Sequence, residues 1–344
     1  LSHERPPVGR LAPSPTGALH LGNARSFLLA WLSIRLQGGT LLLRIEDIDS
    51  PRVKPWTIQH TIDTLRWLGL DWDHGPDDSV STEPAAGLSY PIPLVQSHRI
   101  QRYQQCLDQL ISAEQVYRCY CSRKEVEAAA SAPHESRPTL ELDAVRYPGT
   151  CRSLSPMEQK SASGRKFAWR MLTPDTLLEW QDGLLGPQQL NPSETLGDFV
   201  LAKDSGLPAY QLAVVVDDFD MQVSEVVRGN DLILSTFRQR IVQSALGLMP
   251  PEEYYHLPLM IGPDGRRLAK RHGDTRVSSF RELGVSAEAL IGYLSWTSGL
   301  IERPQQVSCA ELLQSFDQMP WERVPVEPTV VDEQQATKIL KSMP

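Results

Sequence analysis

Between Arg10 and Ile45 the hydrophobic pattern changes period twice, and that change constrains the fold more than any other feature. Arg10 to Pro15 reads as a short strand running into a proline-rich turn. From about His20 to Leu36 the apolar residues Leu21, Ala24, Leu28, Leu29, Trp31, Leu32 and Leu36 recur near helical spacing. Gly38-Gly39 stops that helix, and Leu41 to Ile45 is a compact apolar strand. Strand, turn, helix, strand is a βαβ unit, which predicts a parallel sheet with a right-handed crossover. The turn carries Gly17-Ala18-Leu19-His20-Leu21-Gly22 at the helix start, where free N–H groups and the first-turn dipole favour phosphate. Gly17 and Gly22 permit close backbone approach to a flat base or sugar. His20 can donate a hydrogen bond to charge developing on phosphate. Taken alone, such a fragment more often means a proline-stiffened loop with a capping histidine.

Further helices are predicted from about Trp56 to Leu68, His98 to Glu114, Asp231 to Leu246 and Ala287 to Gly299. Phe167 to Gln181 suggests short strands, and Ala213-Val214-Val215-Val216 reads as a buried strand. Asp77 to Pro93 resembles an inserted loop, Ser131 to Pro138 is loop-like, and the tail after about Gln305 is expected only to pack against the body. The 344 residues allow one large domain or two ordinary ones. A net charge of -8 argues against non-specific binding to bulk nucleic acid, though not against a local basic strip. No run approaches a membrane span and Leu1 to Pro7 lacks a signal-peptide core, so a cytoplasmic protein without membrane contact is expected. Five cysteines, three of them close together, suit a reducing compartment and hint at metal.

Two more segments bear on the opening motif. Arg44-Ile45-Glu46-Asp47-Ile48-Asp49 puts charges at the end of an apolar strand, where ligands bind in open α/β sheets. Gly265-Arg266-Arg267-Leu268-Ala269-Lys270-Arg271-His272-Gly273 is a basic loop in which Lys270 could neutralise triphosphate charge. Together with Arg10-Leu11-Ala12-Pro13-Ser14-Pro15-Thr16-Gly17 and Leu19-His20-Leu21-Gly22, these segments resemble the class I aminoacyl-tRNA synthetases, in their glutamyl branch. The resemblance runs from about Val8 to Gly299 with the motifs in the family's order. The second signature departs from the usual Lys-Leu-Ser-Lys: here Arg267-Leu268-Ala269-Lys270 keeps the second lysine, while arginine replaces the first with the same charge but another shape.

The resemblance implies an α/β fold: a Rossmann-like catalytic domain with a parallel sheet, an inserted zinc-binding subdomain and a short helical C-terminal region. The implied boundaries are 8–118 and 201–250 for the two catalytic halves, 119–200 for the insertion, and 251–344 for the signature-loop and C-terminal part, without an anticodon-binding domain. It implies ATP, with magnesium, bound by Ala12, Pro13, Gly17, His20, Gly22, Leu268 and Lys270, with His20 and Lys270 catalytic. L-glutamate would be held by Arg10, Ser14, Glu46, Tyr210 and Arg228. A guanidinium grips a carboxylate with two parallel hydrogen bonds, and Glu46 is placed to receive the ammonium. Singly, Tyr210, Arg228 and Glu46 would each read as an ordinary core edge or surface charge; jointly they match one pocket.

Two features concern the acceptor. Only about 45 residues follow Gly299, too few for the helical anticodon-reading region of a full glutamyl-tRNA synthetase. Cys119-Tyr120-Cys121 is followed by Tyr147-Pro148-Gly149-Thr150-Cys151. Cys119, Cys121 and Cys151 can supply three ligands of a tetrahedral structural zinc, and chemistry alone leaves His134 and Tyr147 open as the fourth. The pattern Cys-x-Cys then Tyr-x-x-x-Cys resembles the small glutamyl-queuosine tRNA(Asp) synthetases, in which the tyrosine completes the site. That resemblance implies transfer of activated glutamate to the queuosine base of tRNA(Asp), by a monomer. A truncated glutamyl-tRNA synthetase charging tRNA(Glu), and a non-catalytic tRNA-binding relative, are the other readings.

Overall fold

The structure, a computed structural model, describes residues 6–48, 53–76, 92–130, 146–162, 164–266, 268 and 274–343. The βαβ unit forms as its pattern predicts. Strand Val8–Leu11 pairs in parallel with Thr40–Leu43, Gly9 opposite Leu41 and Leu11 opposite Leu43, with helix Leu21–Leu36 crossing between them. The helix lies so close to the first strand that a Cβ on Gly9 would meet Ile34 Cγ1 at 2.4 Å. That close approach holds the last turn of the helix against the strand.

A second parallel pair, Glu225–Gly229 with Glu253–Leu257, encloses helix Ile233–Leu246, which Gly247 ends in the left-handed conformation (φ 68°). Ser224 N donates to Val8 O at 2.9 Å and Val8 N donates to Ser224 Oγ, so the two pairs lie side by side. Ala213 to Val216 corrects the sequence reading: they belong to helix Tyr210–Asp220, not to a strand. Leu212 to Asp218 are all buried, against helices on more than one side, so no polar face breaks the run and β-branched composition misleads.

The segment between the two halves carries an antiparallel sheet, with Ala168–Met171 between Val116–Cys119 and Phe199–Lys203, and a hairpin of Leu178–Asp182 with Gly186–Leu190. The short strands predicted in Phe167 to Gln181 are among these. The tail does more than lean on the body. Strand Thr329–Val330 pairs in parallel with Met260–Ile261, and Leu312, Val331, Ala336 and Leu340 enter the same buried cluster as Leu28, Leu32 and Leu43. The loops expected at Asp77 to Pro93 and Ser131 to Pro138 lie outside the described residues, apart from Ile92 and Pro93. Among the described residues no helix is long and apolar enough to cross a membrane.

Candidate functional site

The carboxyl ends of the parallel strands open into one cavity of about 1690 Å³. That exceeds the roughly 300–1,000 Å³ that one small ligand usually fills. Its lining includes Arg10, Ala12, Pro13, Ser14, Gly17, His20, Gly22, Glu46, Tyr210, Arg228 and Leu268, so every described residue assigned to ATP or glutamate from the sequence faces the same space. Lys270, Arg267 and Ala269 lie outside the described residues.

The turn owes its shape to backbone contacts. Glu46 N donates to Pro13 O (3.0 Å) and Arg44 N to Leu11 O (2.9 Å), which fastens the strand-end charges beside the proline turn. His20 is the N-cap of helix Leu21–Leu36 by its backbone, and its side chain makes no capping hydrogen bond. Its ring instead stands 3.4 Å from Thr275 Oγ1. A Cβ built on Gly17 would meet nothing within 4 Å. The protein itself therefore does not require glycine there, and the room lies on the ligand side.

Beneath the cavity sits a buried charge network that the sequence did not disclose. Arg44 is fully buried and donates to Asp218 (2.7 Å) and Glu46 (2.9 Å), with Asp217 at 3.8 Å. Asp217 also accepts from Arg99 (2.7 Å), Gln96 (2.8 Å) and the Tyr103 hydroxyl (2.8 Å). Arg10 donates to Val227 O and lies 3.9 Å from Asp218. Burial pushes the Glu46 carboxyl above its ordinary range, and the neighbouring Arg44 opposes that shift. Burial likewise raises the Tyr210 hydroxyl, against the pull of Arg228.

Arg228 differs from Arg44 and Arg99 of this network. It donates from Nε to His256 Nε2 (3.1 Å) and from Nη2 to Thr236 Oγ1 (2.6 Å) and Gln239 Oε1 (2.9 Å). These partners are neutral, and no carboxylate stands within ion-pair distance of it among the described residues. Its buried Nη1 has no hydrogen-bond partner. Such a cation, at the wall of a cavity, is matched by an anion from outside.

Away from the cleft, the Sγ atoms of Cys119, Cys121 and Cys151 lie within 4.8 Å of one another. Tyr147 Oη stands 3.3 Å from Cys119 Sγ and 3.6 Å from Cys121 Sγ, and accepts the Cys151 N–H at 2.8 Å. The Cys121–Cys151 sulfur separation is 3.6 Å. Zinc bonded to thiolates at ~2.3 Å sets the sulfurs of a tetrahedron about 3.8 Å apart. The three thiols are thus close enough to hold a metal ion together, with the Tyr147 oxygen beside them. Arg170 lies over the Tyr147 ring at 3.9 Å, a cation–π contact that packs against this cluster. His134 lies outside the described residues.

The family model for class I tRNA synthetases (E and Q), catalytic domain, matches residues 8–332. The chain is 46% identical over 340 residues to the glutamyl-Q tRNA(Asp) synthetase of Rhodopirellula baltica, covering 95% of this chain and 97% of that one. It is 48% identical over 296 residues to the protein of the same name from Nitratidesulfovibrio vulgaris, covering 85% and 86% of the two chains. Among solved structures, the glutamate tRNA ligase of Elizabethkingia meningosepticum in complex with its amino acid is similar, with a TM-score of 0.78 and 26% identity over 97% of this chain and 69% of that one. A parallel strand-end cleft and a match along nearly the whole chain lead to one assignment: this protein belongs to the class I tRNA synthetases of the glutamate and glutamine branch.

Proposed function

We propose that the protein activates L-glutamate with ATP and transfers it to the queuosine base in the anticodon of tRNA(Asp). The observation that carries the first step is the shared cavity of Arg10, Glu46, Tyr210 and Arg228 with the His20 turn. The acceptor rests on the 46–48% identity to glutamyl-Q tRNA(Asp) synthetases along most of their length.

In this reading Arg228 and Arg10 meet the side-chain carboxylate, Glu46 receives the ammonium, and Ser14 and the Tyr210 hydroxyl close the remaining contacts. Ala12, Pro13, Gly17, Gly22 and Leu268 border the nucleotide. An oxygen of the glutamate α-carboxylate attacks the α-phosphorus, a P–O bond forms, and pyrophosphate leaves. His20 and Lys270 stabilise the charge that develops on the phosphate oxygens. Magnesium enters with the ATP, held largely by phosphate and water oxygens. A queuosine hydroxyl then attacks the acyl carbon, an ester forms, and AMP leaves.

The zinc reading takes Cys119, Cys121, Tyr147 and Cys151 as ligands of one structural ion. The ion would tie the strand ending at Cys119 to the Tyr147–Cys151 turn. No step of the reaction passes through it. The same reading divides the chain into catalytic halves 8–118 and 201–250 around an insertion, 119–200. A separate small apolar cluster of Cys119, Tyr120, Tyr147, Cys151 and Ala162 supports a distinct metal-binding part.

Labelled glutamate supplied with tRNA(Asp) and tRNA(Glu), each with and without queuosine, tests the acceptor. Label is expected on queuosine-containing tRNA(Asp) alone. Charging of tRNA(Glu) but not of modified tRNA(Asp) overturns the choice. Absence of glutamate-dependent pyrophosphate exchange overturns activation itself.

A further inference from the structure

Asp182 and His256 are completely or almost completely buried, and the sequence motifs assign a role to neither. His256 lies opposite Arg228 in the parallel strand pair. Its Nδ1 stands 2.6 Å from Asp182 Oδ2, and its Nε2 receives Arg228 Nε–H at 3.1 Å. Asp182 ends the first strand of the inserted hairpin, and its Oδ1 accepts the N–H groups of Leu184 (2.9 Å) and Leu185 (2.8 Å). A carboxylate only accepts, so His256 must carry its proton on Nδ1, and the Nε2 lone pair is left facing Arg228. Burial, foremost, lowers the His256 pKa to about 4, with Arg228 acting in the same direction against Asp182. The ring is therefore neutral at neutral pH. Trp180 and Tyr254 flank the ring and hold its plane.

We infer that Asp182 and His256 form a positioning pair that fixes the Arg228 guanidinium, leaving its Nη1 edge for the carboxylate of the amino-acid substrate. The inference rests on reading Arg228 as a glutamate ligand. An aspartate contributed by the inserted segment thereby sets the tautomer of a histidine on the strand paired with that of Arg228, and that histidine sets the angle of the arginine. Neither Asp182 nor His256 lines the cavity, so neither is a catalytic residue.

Asp182→Asn tests the tautomer directly. Its oxygen can keep the Leu184 and Leu185 N–H groups while its amide donates to Nδ1. The proton then moves to Nε2, where it opposes Arg228. In glutamate-dependent pyrophosphate exchange, Asp182→Asn and His256→Ala are expected to raise the glutamate KM about tenfold or more, with the ATP KM unchanged within about twofold. His256→Gln, which can present an oxygen to Arg228, recovers much of the loss. The double variant Asp182→Asn/His256→Ala is no worse than His256→Ala alone, because the two act as one unit. Long-range 1H–15N spectra should show the Nδ1–H tautomer in the native protein and Nε2–H in Asp182→Asn.

Glutamate and ATP KM values that move together, or variants within about threefold of native, overturn the inference. So does an Nε2–H tautomer in the native protein. Native protein that shows no glutamate-dependent exchange instead sinks the activation reading, while the spectra still decide the hydrogen-bond geometry. Should His256→Ala fail to fold, Asp182→Asn and His256→Gln carry the test.

Discussion

Arg44 has no exposed surface, yet it stands among Glu46, Asp217 and Asp218 at the floor of the cleft. Removing one member of a buried charge cluster strands the others, which costs roughly 3–5 kcal/mol. Arg44→Met should therefore lower unfolding stability by about that amount in urea titration. Glutamate-dependent exchange should fall with it, because Glu46 loses the partner that aims it. A second residue-scale prediction concerns pH. The folded His256 pKa, about 4, lies below the ordinary imidazole value near 6.5. Between those values the unfolded chain binds the proton and the native one does not, so stability is present in full above ~6.5 and declines as pH falls toward 4. The slope this residue adds is about 1.4 kcal/mol per unit at most. Comparing urea midpoints across that window, native against His256→Gln, measures it: the variant should lack this part of the slope. A depressed Asp182 pKa, where burial is outweighed by the bonds from His256 and Leu185, acts in the same sense at lower pH.

Elements show where the sequence was legible and where it was not. The opening strand, turn and helix follow from a change of hydrophobic period, which is local information. His20, Glu46 and Arg228 stand out because they occupy strand or helix ends in recognisable strings. The Asp182–His256 pair was invisible for the opposite reason. Its members are 74 residues apart, and only tertiary packing of a hairpin on a parallel strand brings them together. Asp217 and Asp218, which directly follow Ala213 to Val216, had no role in the sequence reading, because a helix mistaken for a strand hides which face they occupy. The cysteine turn is a further element with a checkable role. Cys119→Ser and Cys151→Ser should each release bound zinc, measured by atomic absorption of the purified protein. They should also lower the melting temperature by several degrees while leaving the ATP KM near native. Native protein that carries no zinc would remove the ion from the account.

At the scale of the whole molecule, the main core joins distant parts of the chain. Leu11, Leu28 and Leu43 share a cluster with Leu294, Leu312, Leu340 and Met343. Leu312 is fully buried on helix Cys309–Gln314, which packs against helix Leu21–Leu36. Leu312→Ala should cost about 2–5 kcal/mol. Because the cluster is continuous, denaturation should remain one transition for probes in the cleft and in the tail, rather than an early loss of the last helices. Calorimetry with tryptophan fluorescence as a second probe distinguishes the two outcomes.

That joined core has a consequence for biogenesis. A ribosome that has released the first three hundred residues has released a finished cleft sequence but not the groups that seal it. The strand, turn and helix at the start must wait, partly solvated, for leucines translated roughly tens of seconds later. The opening strand, turn and helix are thus expected to complete their packing only once the segment around Leu340 has emerged.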